Sequence, residues 1–88
     1  MTPTQPFSAS EFHREPDEKR TIYDWGIWFD DGKTQDWVFD NDDLTEGQAI
    51  KVATLLNKEW SSRGKVWQAY QEESGYYERI SEVVYQIK

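Results

Sequence analysis

The sequence predicts an α+β fold: a small single domain in which an antiparallel sheet packs on one helix, ββαββ-like, with a flexible N-terminal arm. Three observations predict it. Residues 21–40 alternate apolar and polar side chains in two runs separated by Asp31-Gly32, the period-two pattern of strands joined by a tight turn. Residues 44–64 switch to spacings of three and four behind Thr45 and Gln48, which read as a capping box opening a helix. Residues 65–80, KVWQAYQEESGYYERI, set two runs rich in valine, tyrosine and isoleucine around a glycine-containing turn, which reads as a second hairpin. Eighty-eight residues, 36% of them hydrophobic, make one domain with a compact core. Five tryptophans, five tyrosines and four phenylalanines supply the buried area from few positions.

Taken in order, residues 1–20 carry Pro3, Pro6 and Pro16, mixed charge and no periodicity, and are expected to form the arm, docked through Phe7 and Phe12. The folded domain is then expected over residues 21–88. In the first strand Tyr23, Trp25, Ile27 and Phe29 share one face, while Asp24, Gly26 and Trp28 share the other. In the second, Trp37 and Phe39 oppose Asp36, Val38 and Asp40. A two-residue Asp31-Gly32 turn would set Ile27 beside Asp36. A three-residue loop of Asp30, Asp31 and left-handed Gly32 instead pairs Trp25 with Trp37 and Tyr23 with Phe39, giving one aromatic face, and is the expected register. Asp24, Asp36 and Asp40 then point away from the core together. Trp28 stands among them, either covered by the arm or a second layer, or presented as an exposed anchor of the kind enriched in binding hot spots.

Leu44 and Ala49 form a hydrophobic staple at the start of the helix, Ala49, Val52, Ala53, Leu56 and Trp60 form its buried stripe, and Gly64 is its expected stop. The tail SEVVYQIK fits two patterns. Ile80, Val83, Val84 and Ile87 suit a helix capped by Ser81, whereas Val83, Tyr85 and Ile87 suit a strand, and the β-branched content favours the strand.

The charge is segregated along the chain. Between residues 24 and 46 lie Asp24, Asp30, Asp31, Asp36, Asp40, Asp42, Asp43 and Glu46 against Lys33 alone, so this segment carries the whole net charge of −7; the acids and bases elsewhere cancel. Such a surface repels nucleic acid and favours a basic partner. It also keeps a small protein dispersed, and aspartates occupy turns for local reasons.

Catalytic chemistry finds few candidates. There is no cysteine, and the one histidine, His13, falls in the expected arm. Gly32-Lys33-Thr34 ends like a phosphate-binding loop, but the earlier glycine of that motif would fall at Ile27, and a strand follows where a helix is required. DNDDLTEG, residues 40–47, would need glycine at Thr45 and an acid at Lys51 to build a calcium loop. Carboxylates in turns and on an open strand lack the pocket that separates acid from base. No catalytic, cofactor or metal role is therefore assigned. The absence of an apolar leader or a membrane-length run leads to an expected cytoplasmic location without membrane attachment.

Small size and the acidic segment Asp24 to Glu46 give the chain a resemblance of type to the small phage-encoded anti-defence proteins, the anti-CRISPR and anti-restriction inhibitors. That resemblance implies a non-enzymatic inhibitor that occupies the basic, nucleic-acid-binding surface of a bacterial defence nuclease in the host cytoplasm. Asp24, Trp28, Asp30, Asp31, Asp36, Asp40, Asp42, Asp43 and Glu46 would make the contact. The alternative is an adaptor or homodimer built through a sheet edge and apolar contacts, with the acids serving only solubility.

Overall fold

The computed structural model describes residues 5–13 and 23–88, and within them the side chains other than those of residues 12, 13, 23, 24 and 41–43. The fold is α+β, as expected: a three-stranded antiparallel sheet packed against helices. Its order is βββααα and not ββαββ. The strands are β1 (Phe7–His13), β2 (Tyr23–Asp30) and β3 (Gln35–Leu44), with β2 central; the helices are α1 (Glu46–Ser61), α2 (Lys65–Glu72) and α3 (Tyr76–Ile87).

The first correction concerns the arm. Phe7–His13 pair with β2 from Phe7↔Phe29 to His13↔Tyr23, so this stretch belongs to the sheet. The physical reason is the alternation Phe7, Ala9 against Ser8, Ser10, which a proline-based reading passes over. Phe7 is 2% exposed and its ring sits 5.2 Å from Phe29 and 5.8 Å from Trp60. Asn57 of α1 fastens the strand. Its Oδ1 accepts from the Phe7 backbone N–H at 2.9 Å, and its Nδ2 donates to the Phe7 carbonyl at 2.8 Å. Both backbone groups are partly buried, so Asn57→Leu, which leaves them unpaired, is expected to destabilise the fold by about 2 kcal/mol, read as a lower urea midpoint at unchanged slope.

The second correction concerns register. Trp37 pairs with Trp28, and Phe29 with Asp36, where Trp25 had been expected opposite Trp37 and Tyr23 opposite Phe39. Gly32 is left-handed as expected, with φ of 90°, but Asp30 pairs with Gln35 across a longer loop. Two irregularities follow. The ladder passes from Trp28↔Trp37 to Ile27↔Phe39, so Val38 is an extra residue, and then from Ile27↔Phe39 to Trp25↔Leu44. A bulge inserts a residue and turns the strand, which lets the adjacent Val38 and Phe39 both be buried. The four-residue loop before it, not the bulge, sets Asp36 in register with the core residue Phe29 and Trp37 with Trp28, their rings edge to face at 5.2 Å.

Helix α1 follows its expected form. The Thr45 side chain accepts from the Gln48 N–H and the Gln48 side chain accepts from the Thr45 N–H, a complete capping box. Ala49, Val52, Ala53, Leu56 and Trp60 are all buried. Its stop differs in detail. Arg63, not Gly64, takes the left-handed conformation, with φ of 61°, and its guanidinium lies 4.4 Å from the centre of the Trp67 ring. Gly64 makes a close approach: its N–H donates to the Glu59 carbonyl at 2.7 Å, and a Cβ there would lie a tight 3.3 Å from that oxygen.

The third correction replaces the second hairpin by two helices. Val66, Ile80, Val83 and Val84 are buried, on one stripe of α2 and one of α3. Their burial against α1 and the sheet outweighs the modest preference of β-branched residues for strands. Ser81 lies inside α3 and does not cap it; Gly75, with φ of 70°, stands at the N-cap. Between the helices Glu73 is left-handed, and the Ser74 N–H returns to the Ala69 carbonyl at 3.0 Å, closing α2. All three helices meet at Phe29, whose ring lies 5.4 Å from Trp60 of α1, 5.3 Å from Tyr70 of α2 and 6.2 Å from Tyr76 of α3.

Candidate functional site

The acids fall into two groups according to what their oxygens do. Asp30 and Asp31 build the β2–β3 turn. Asp30 accepts from the Gly32 N–H at 2.9 Å and from the Gln35 side chain at 3.2 Å. Asp31 Oδ1 accepts from the N–H groups of Lys33 and Thr34 at 2.9 and 2.7 Å, and its Oδ2 accepts from the Tyr70 hydroxyl at 3.4 Å. Burial pushes the Asp31 carboxyl up, but these hydrogen bonds favour its ionised form and hold it below the usual carboxylate range. Asp31 thus stays charged while serving the turn.

Asp36, Asp40 and Glu46 are exposed and follow one another from the hairpin along the edge strand β3 into the first turn of α1. The described ion pairs, which join Arg79 to Glu59 and Glu82, involve none of these three acids. Glu46 also sits favourably at the positive end of the helix dipole. The side chains of Asp24, Asp42 and Asp43 lie outside the described residues. Asp36 departs from the expected orientation: its register with Phe29 puts it on the helix-facing side at the sheet rim and not pointing away from the core. Trp28 is half-buried against Trp37 on the face away from the helices.

Asp36 also borders a cleft of about 520 Å³ between the end of the hairpin and the α2–α3 turn. Tyr70, Tyr76 and Tyr77 line it, with Phe29 at the floor and Glu73 at the opposite rim. The rings form a continuous series, 5.0 Å from Tyr70 to Tyr76 and 5.1 Å from Tyr76 to Tyr77. Tyr76 Oη is buried without a hydrogen-bond partner among the described residues. Burial pushes this hydroxyl well above the ordinary phenol range, and the neighbouring Tyr70, Tyr77, Asp31 and Asp36 act in the same direction. Sequence reasoning assigned Tyr70 and Tyr76 to hairpin strands and missed the cleft. The signal was the helical spacing Val66–Tyr70 and Tyr76–Ile80–Val84, which puts each tyrosine one turn from a buried aliphatic residue.

Among the described residues no group of three or more histidine, aspartate or glutamate side chains is arranged to hold a metal ion, and no helix is long and apolar enough to cross a membrane. Comparison with protein-family models, with curated proteins and with solved structures gives no match to this chain.

Proposed function

We propose that the protein is a non-enzymatic binding module whose acidic β3 edge engages a cationic surface of a partner protein, of the kind that otherwise holds a nucleic-acid backbone. A bacterial defence nuclease is the partner class implied by the resemblance of type. The observation that carries this reading is the set of exposed acids Asp36 and Asp40 on the edge strand β3 and Glu46 in the first turn of α1, with none of the described ion pairs neutralising them. Asp36 and Asp40 lie on β3 on either side of the Val38 bulge and Glu46 follows in α1, so the acids form no regular row, and it is their summed negative field that attracts the lysines and arginines that grip a phosphate backbone. Charge steers such an encounter, and shape supplies its specificity.

Strand addition is the weaker reading. Acidic side chains on β3 oppose edge pairing, and the Asn57 amide already takes up both backbone groups of Phe7 at the start of β1.

The test is capture of partners from a bacterial lysate by the wild type and by a variant carrying Asp36→Asn, Asp40→Asn and Asp42→Asn, each with and without an added polyanion. The wild type is expected to retain nucleic-acid-binding proteins that the polyanion displaces. If each removed charge contributes about 0.5 kcal/mol, the variant binds roughly tenfold more weakly while its urea midpoint is unchanged. Undiminished binding by the variant would leave the acids a solubilising role only.

A further inference from the structure

The geometry points to a binding site for one cationic side chain, lysine or arginine, in the tyrosine-lined cleft between the β2–β3 turn and the α2–α3 turn. This deepens the reading of a basic partner and rests on it for the source of the side chain. The cleft, at about 520 Å³, is within the size range of small-ligand sites and far larger than a single side chain needs, so partner backbone can enter with it. Its walls have the chemistry that holds a cation. Tyr70, Tyr76 and Tyr77 present ring surfaces at successive centroid distances of 5.0 and 5.1 Å, and ring faces attract ammonium and guanidinium groups through their quadrupole. Tyr77 is 58% exposed, leaving much of its ring open to an incoming group.

Charge chooses between possible ligands. Asp36 and Glu73 stand among the lining residues, Asp31 is bonded to the Tyr70 hydroxyl beside them, and no lysine or arginine is among the lining residues. An anion would meet carboxylates and ring faces, both repulsive to it. A neutral apolar ligand would leave the acids without a counter-charge. A cation on an alkyl stem satisfies both surfaces, with methylenes on the rings and charge toward Asp36 and Glu73.

The site is tested with free small cations, so its outcome does not depend on any protein partner. The whole chain is titrated with N-acetyl-arginine amide, N-acetyl-lysine amide and tetramethylammonium chloride at constant ionic strength, followed by NMR, with N-acetyl-glycine amide as the uncharged control. Saturable shifts in the ring signals of Tyr70, Tyr76 and Tyr77 are expected, with upfield movement of the cation's own methylene or methyl signals. Tyr77→Ala and Asp36→Asn should each weaken the binding about fivefold and Tyr77→Phe, which keeps the ring, should restore it. Linear shifts matching the glycine control, or binding weakened equally by Glu46→Gln in the first turn of α1, would overturn the site. Failure here leaves the acidic-edge reading standing on its own charge-neutralising test.

Discussion

Phe7→Ala is expected to lower the free energy of unfolding by about 3–5 kcal/mol, the range for removing a fully packed aromatic ring from a core. The Phe7 ring contacts both Phe29 and Trp60, and the residue is 2% exposed. It therefore joins β1 to the centre of the molecule and to α1 at once. Domains of this size have only about 5–15 kcal/mol of stability to lose. Urea unfolding monitored by tryptophan fluorescence should show a markedly lower midpoint, with part of the population unfolded in buffer if the parent lies at the low end of that range. An unchanged midpoint would mean that this stretch is an appendage and that the sheet stands without it.

Glu59→Ala is expected to cost about 2–3 kcal/mol, because one carboxylate serves three elements. Its Oε1 accepts from the Val66 N–H at the start of α2 and from Arg79 Nε of α3, both at 3.1 Å, while Oε2 takes a second guanidinium bond from Nη2. The pair is partly buried, with side-chain exposures of 19% and 21%, and the bond to Glu59 is the main influence raising the Arg79 pKa. Truncation leaves an orphaned N–H and a half-buried guanidinium. Glu82, whose side chain is 55% exposed, also contacts Arg79, but in solvent such a pair contributes little, so Glu82→Ala should change stability by less than about 0.5 kcal/mol. The contrast between the two variants, read from the same denaturation curves, separates a junction between helices from a surface ion pair.

These two residues show where the sequence was legible and where it was not. Local signals read correctly: the Thr45–Gln48 capping box, the Ala49 to Trp60 stripe and left-handed Gly32 each depend on neighbours within a few positions, so pattern and chemistry suffice. The failures depend on distant partners. Phe7 looks like part of a proline-bearing arm until β2 and Asn57, fifty residues on, are placed beside it. Trp37 looks like core by alternation, but the longer loop that pairs Asp30 with Gln35 sets it opposite Trp28, and the bulge at Val38 then returns Phe39 to the core beside Ile27. The valines and tyrosines after residue 65 have the composition of strands, and their helical form is fixed by burial of Val66, Ile80, Val83 and Val84 against elements that local propensity does not include. The acidic segment was visible as composition. What composition could not separate were Asp30 and Asp31, whose oxygens are engaged by the turn, from Asp36, Asp40 and Glu46, which remain open. The tyrosine cleft required the α2–α3 turn to be known first.

The central claim is that cations are drawn to the β3 edge in preference to acids elsewhere on the chain. Its most direct measurement is a residue-resolved NMR titration of the whole protein with a short arginine- and lysine-rich peptide, first at low salt and then as salt is raised. The account predicts saturable amide shifts concentrated between residues 30 and 46 and at the adjoining cleft, fading as ionic strength screens the attraction. Shifts spread equally over Glu72, Glu78 and Glu82, or indifferent to salt, would contradict it.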